Sequence, residues 1–455
     1  MSENPLGSEK IATILRSYAI PSITATLVSS LYNIVDQVFI GQGVGYLGNA
    51  ATNVSYPLST ICLAIALLLG IGSASRFSIF LGKGDPDKAA RLVGNGVVWM
   101  AMAGLLYLLL GELFLSPLLR LFGATAEAMP LAREYAGIVL IGMPFLILTN
   151  GISNLIRADG SPRYSMLCMV AGAVVNTILD PIFIFCLHWG VAGAALATIL
   201  GQILSFGLAL RYLWRFRTVR LSRDCFRLDL RDNLRTFYMG ISNSVNQLAI
   251  TLVQIVLNNS LTFYGAQSIY GEDIPLAACG IVMKTNAILL SIIVGISQGV
   301  QPIIGFNYGA GKYDRVQQAY RLAVCWNLVV SAVGFCLFQF FPGPILALFG
   351  SGEPLYFEFA TRFMRIFLFM VLVNGVQLLS SNFFTAIGKA LKGLLLSLTR
   401  QVFFLIPLIL ILPLRLGIWG VLLAAPIADG IAFLLSVFLV KREFRSLRAR
   451  QAALH

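Results

Sequence analysis

Three aspartates, Asp36, Asp180 and Asp429, stand inside long apolar stretches of the chain. A carboxylate at the centre of a membrane helix costs about 2.5 to 3.5 kcal/mol on insertion scales, so each needs a partner or a task. Ser29, Asn33 and Asp36 are spaced i, i+4, i+7, which puts them on one helical face turned away from lipid. Asn176 and Asp180 share a face in the same way, and so do Thr198, Gln202 and Ser205. Three polar stripes in one half of the chain are what a small hydrated cavity for a cation requires, because oxygen ligands suit hard ions. If Asp36 and Asp180 approach there, repulsion and partial desolvation favour a proton on one of them near physiological pH. The plainer alternative is a structural carboxylate tying helices together, but the Lys and Arg of the first-half membrane segments stand only at segment ends, as Arg76 and Arg211 do, and not where they would neutralise either one.

The elements that must position these groups are membrane helices. Of 455 residues, 58% are apolar and only 12% charged, about half the charge of an ordinary soluble domain. Apolar segments at 17–40, 53–79, 93–116, 134–156, 164–187 and 190–212, then 237–264, 275–304, 322–341, 363–386, 394–413 and 418–440, are long enough at roughly 20 residues to cross a bilayer. The fold expected is an all-α polytopic membrane protein. The opening MSENPLGSEK lacks a basic n-region and a cleavage site, so the first segment is expected to stay as a mature helix. Seven scattered cysteines form no CxxC pair, and His188 and His455 are the only histidines, so no transition-metal site and no cofactor is expected.

With the N-terminus in the cytoplasm, 26 of the 33 Lys and Arg fall on that side and five on the other, while Lys284 and Arg400 lie within segments. Short basic loops stay inside, so both termini are expected to be cytoplasmic in a cell (inner or plasma) membrane. The net charge of +13 and the basic stretch from Arg211 to Arg235 raise a nucleic-acid or regulatory arm. An anionic leaflet attracts the same charges, so no nucleic-acid partner is expected. Asp429 is expected to pair with Arg400 or Lys284, with substrate binding in a cleft as the alternative. Gln298, Gln301, Asn374, Gln377 and Ser381 fit either a cleft lining or interhelical glue.

The two halves repeat. Gly82-Lys83-Gly84 matches Gly309-Ala310-Gly311, Leu121-Phe122-Gly123 matches Leu348-Phe349-Gly350, and Gly190-Val191-Ala192-Gly193 matches Gly417-Ile418-Trp419-Gly420, each pair 227 residues apart. Leu15-Arg16-Ser17-Tyr18 matches Leu234-Arg235-Thr236-Phe237 at 219 residues, which places an insertion near Tyr264 to Pro275. An even number of helices per copy makes the repeats parallel, related by a pseudo-two-fold axis along the membrane normal. The expected organisation is an N-lobe of six helices over 1–213, a basic cytoplasmic linker over 214–236 and a C-lobe of six over 237–455. Two such lobes leave a cleft between them, an architecture that favours carriage over conduction or sensing.

The segment Ser29 to Gly41 (SSLYNIVDQVFIG), the loop Gly82 to Arg91 (GKGDPDKAAR), Asn176 to Pro181 (NTILDP) and Gly295 to Gly311 (GISQGVQPIIGFNYGAG) together resemble the MATE family, in its prokaryotic branch of DNA-damage-inducible F and MepA-type exporters. The resemblance implies efflux of amphipathic cationic drugs in exchange for protons or sodium ions, by a chain expected to act as a monomer. It also implies that Asp36, Asn176, Asp180 and Thr198 form the N-lobe cation or proton site, with Asn150 in support and interhelical glue as the plainer role for Asn150 and Thr198. Pro21 matches the proline at which the first helix bends, and a proline there frees a backbone carbonyl on physical grounds alone. The NorM branch carries acidic residues in the second lobe. Here the equivalent positions near Phe404 and Leu408 are apolar and the seventh segment bears the uncharged stripe Asn243, Gln247, Gln254 and Asn258, so coupling is expected in the first lobe.

Other classes fare worse. No GxxxxGK[ST] cradle marks an ATP-driven pump, and Glu112 stands without a His partner, so no enzyme is expected. Channels use rings of selectivity groups, which two unlike lobes do not provide. Lipid-linked precursor or polysaccharide flippases of the same superfamily are the nearest alternative, though those that flip cell-wall precursors resemble fourteen-helix chains.

Overall fold

The computed structural model describes residues 4–348 and 354–452, without the side chains of Tyr46, Leu230 and Arg231. Phe349 and Gly350 of the second repeat signature and His455 lie outside the described residues. In an apolar solvent the backbone must satisfy its own hydrogen bonds, so long apolar runs become helices. The first half supplies α1 (Ile11–Gly43), α2 (Tyr46–Gly82), α3 (Pro86–Leu113), α4 (Met129–Ala158), α5 (Pro162–Pro181, continued by a π turn Ile182–Cys186) and α6 (Gly190–Leu213). The second supplies α7 (Leu230–Ala266), α8 (Asp273–Gly309), α9 (Tyr313–Phe340), α10, α11 (Ala390–Leu416) and α12 (Ile418–Ala452). α10 is two pieces, Pro354–Phe367 and Val371–Ala386, bent by 48°. Among the described residues eleven helices are long and apolar enough to cross a membrane, and the bent pair taken as one span makes twelve.

Most helices outrun the apolar segments that announce them. α12 continues through the basic tail past Lys441, and α7 already begins at Leu230, inside the stretch expected to be linker. Polar residues in a headgroup zone continue a helix without burial, so hydropathy marks only its middle. The rest of the basic loop is fastened down rather than free. Val219 and Cys225 are buried, and the Asp159 carboxylate accepts from the backbone N–H of Arg217 at 2.8 Å and of Thr218 at 3.0 Å.

Apolar packing divides into two lobes and a joint. One core, with Phe77, Met100, Leu140 and Met143, is built from the first half, and another, with Phe359, Phe363 and Met364, from the second. A third joins Ile11, Ile14 and Leu15 of α1 to Ile303 and Ile304 of α8 and to Phe383 and Leu447. It lies at the end of the bundle that carries both termini.

The duplicated glycines explain themselves at this joint. Gly84 and Gly311 turn the chain with φ of +78° and +72°, where only glycine is unstrained. Gly82 and Gly309 are needed for closeness. A Cβ on Gly82 would strike the Phe306 carbonyl, and one on Gly309 would strike the Ile79 carbonyl. Ile79 and Phe306 are themselves 227 residues apart, so α2 and α8 cross about the pseudo-two-fold axis with equivalent atoms in contact. Gly190 and Gly417 repeat the pattern with φ of +54° and +59°, while Gly193 and Gly420 abut the backbone at Phe183 and Leu412.

The two kinds of glycine separate experimentally. A Cβ on Gly84 meets nothing within 4 Å, so Gly84→Ala costs only its strained φ, about 1 to 2 kcal/mol. Gly82→Ala must push two helices apart, which overpacking places at about 1 to 3 kcal/mol or more, and adding Gly309→Ala should cost little further once the crossing has opened. Melting midpoints of the purified variants test this; independent, additive losses at positions 82 and 309 would argue against a shared crossing.

Candidate functional site

Asp36 projects from the upper half of α1 and Asp180 from the last turn of α5, and the contact of these helices brings the two carboxyl groups within hydrogen-bonding reach. Asp180 is fully buried, and the Oδ1 of Asp36 is buried with no donor. Among the described residues no Lys or Arg is ion-paired with either. Two carboxylates so placed repel unless something positive, a proton or a cation, lies between them.

Asn176, one turn before Asp180 on α5, bridges to α6. In the amide orientation that satisfies both ends, its nitrogen donates to Asp180 Oδ2 at 3.3 Å and its oxygen accepts from the Oγ1 and backbone N–H of Thr198 at 3.2 Å. The opposite orientation aims the nitrogen at both Asp180 Oδ1 and Thr198 Oγ1 and leaves the Thr198 N–H without the amide oxygen, so the first is preferred. Asp36, Asp180, Asn176 and Thr198 thus meet, and their hard oxygen donors fit a monovalent cation as well as a proton. The pattern of spacing did not single out Tyr32 and Tyr135, whose hydroxyls share the electrostatic surroundings of both aspartates. Tyr32 precedes Asp36 by four residues and was within reach of the helical rule; Tyr135, from α4, was not.

Other expected residues fall elsewhere. Asn150 donates to the Leu146 carbonyl of its own helix at 3.0 Å, and no described contact joins it to the aspartates. Asn33 is exposed and donates to the Ser29 carbonyl of its own helix. Pro21 lies within α1, which continues through it as one helix.

In the second half, Arg400 Nε donates to Asp429 Oδ1 at 2.5 Å, and the carboxylate is 5% exposed. Lys284 is exposed and takes no part in the pair. Gln301 donates to Ser75 at 2.9 Å, Gln377 to the Leu396 carbonyl at 3.0 Å and Ser381 to the Gly393 carbonyl at 2.9 Å. These three are buried interhelical ties rather than a cleft lining.

The lobes are sealed at the end carrying the termini. Thr26 donates to the Ser291 carbonyl at 2.7 Å and Gln301 reaches Ser75, while Arg76 of α2 pairs with Asp232 of α7 at 3.0 Å. Lys312 and Arg315 hold the carbonyls of Gly7 and Glu9. Along α1 the last such tie is Ser30 to Ser291 at 2.5 Å. Beyond it no described hydrogen bond or ion pair joins the lobes, and Asp36 lies on that side of the tie.

Comparison with known proteins agrees with this architecture. The MatE family model matches residues 21–182 and 245–411, more than half of the chain. The chain is 24% identical over 449 residues to the "FAD transporter" of Shewanella oneidensis, covering 98% of each, and 25% identical to the "Multidrug export protein MepA" of Staphylococcus haemolyticus, covering 93% of this chain and 92% of that one. A solved structure described as the outward-facing conformation of a multidrug resistance MATE family transporter superposes with a TM-score of 0.91 at 22% identity over 99% of both chains.

The buried pair in the second half gives a direct test. Arg400→Gln strands the Asp429 carboxylate and should destabilise the protein by about 3 to 5 kcal/mol. Adding Asp429→Asn should recover much of that loss, and Lys284→Gln should leave the melting midpoint within about 0.5 kcal/mol of the parent. A Lys284 variant as unstable as the Arg400 variant would contradict the pairing.

Proposed function

The chain belongs to the MATE family of membrane transporters, and from that premise we propose that it is a secondary active exporter driven by proton or sodium antiport. Its substrates are amphipathic organic cations. The observation that carries this reading is the facing pair Asp36 and Asp180, two carboxyl groups in the first lobe with no basic partner among the described residues. A proton or sodium ion entering from outside completes their charge, with Asn176 and Thr198 fixing the geometry. Pro21 gives α1 a place to bend as the site fills.

The orientation that fits places both termini in the cytoplasm of a cell membrane. The sealed end then faces inward and the cleft outward, the state that releases substrate and loads the coupling ion. Exchange requires that ion and substrate prefer different lobe arrangements, since a ligand with equal affinity for both shifts nothing. A second reading, export of an anionic flavin dinucleotide, is favoured by the Shewanella relative, which is named for FAD.

Reconstitution into liposomes separates these readings. A pH gradient or a sodium gradient, applied one at a time, should drive uptake of a fluorescent lipophilic cation, and Asp36→Asn and Asp180→Asn should each reduce the rate at least a hundredfold. Unchanged transport in both variants would remove the aspartates from coupling. Movement of FAD, or of a lipid-linked sugar, without movement of the cation would replace the substrate class and leave the site intact.

A further inference from the structure

The groove between the first turns of α9 and the end of α12 has no part in the transport site. It measures about 440 Å³ and is lined by Asp314, Gln317, Arg321, Leu322 and Cys325 of α9 and by Arg448 of α12. Gln317, Arg321 and Cys325 follow one another every four residues, so a single helical face runs from polar, through basic, to a small exposed side chain at membrane depth. Arg321 and Arg448 are in no ion pair among the described residues. Arg321 lies over the Phe444 ring with its guanidinium carbon 5.9 Å from the centroid.

Gln317 supplies an independent sign of a missing acceptor. It is 5% exposed; its oxygen accepts from Arg448 Nε at 3.3 Å, and its amide nitrogen is buried with no partner. Buried donors are rarely left unpaired. One amide and two guanidinium groups converge on the same space, a donor set suited to the oxygens of a phosphate. Asp314 is the one acid on the lining and sits at its rim, so the groove stays net positive. The walls are already clamped, since Tyr313 N–H of α9 donates to Gln451 Oε1 of α12 at 3.2 Å.

We propose that this groove holds the phosphate headgroup of an anionic glycerophospholipid from the leaflet on the side of the termini, with an acyl chain running past Leu322 and Cys325. A soluble phosphate would have no use for the apolar floor. An anionic lipid uses all of it, and its leaflet concentrates it beside Lys and Arg.

The test is native mass spectrometry of the purified, delipidated full-length protein titrated with phosphatidylglycerol, phosphatidylcholine or inorganic phosphate. One tightly held phosphatidylglycerol per chain is expected, with phosphatidylcholine weaker. The double variant Arg321→Gln/Arg448→Gln should lose roughly tenfold or more in phosphatidylglycerol affinity, and Gln317→Glu, which turns the buried donor into an acceptor and sets a carboxylate against Arg448, should do the same with both arginines still present. Equal binding of the two lipids, undiminished phosphatidylglycerol binding in both variants, or its displacement by millimolar inorganic phosphate would each overturn the assignment, the last in favour of a free-anion site.

Discussion

Two like charges that face each other away from bulk water govern this molecule. At 4 Å and an effective dielectric constant of about 20, two unit charges interact by about 4 kcal/mol, which corresponds to roughly three orders of magnitude in an equilibrium constant. Asp36 and Asp180 therefore hold something positive between them or hold α1 and α5 under mutual repulsion. Elsewhere the fold solves the same problem with a fixed partner. Asp429 has Arg400, Asp232 has Arg76, and Glu443 has both Lys389 and Lys392. Among the described residues the first-lobe pair has no such fixed partner.

Coupling also needs a joint that can open. The sealed end depends on backbone approaching backbone across glycine, as at Gly82 and Gly309, and at Gly72 and Gly240 where α2 meets α7. Contacts of that kind are close but involve little side-chain interdigitation, and the polar ties around them are hydrogen bonds to carbonyls and hydroxyls together with the Arg76–Asp232 pair. Net values of about 0.5 to 1.5 kcal/mol apiece make such a seam firm in sum and separable piece by piece. The lobes behind it are held differently, by large apolar side chains such as Phe77, Met100, Phe359 and Phe363.

The end that bears the termini is thus crowded with function. It carries the seam, the fastened basic loop and the α9–α12 groove within a few turns of one another. Arg315, two residues before Gln317, holds the Glu9 carbonyl, so the first turns of α9 serve the interlobe latch on one side and the groove on the other.

The sequence alone determined the helical character, the twofold repeat and the presence of unneutralised carboxylates in the first half. Each follows from local chemistry: apolar runs longer than a bilayer, glycines recurring at a constant interval, and the absence of Lys or Arg near Asp36 and Asp180. Tertiary structure decided which polar residues meet. Helical spacing sets the direction of a side chain relative to its own axis and not which neighbour lies there, so it had no means of adding Tyr135 from another helix. The choice of Arg400 over Lys284 as partner of Asp429 was undecidable for the same reason, since both lie at membrane depth and only the packing of α11 on α12 brings one of them within 2.5 Å.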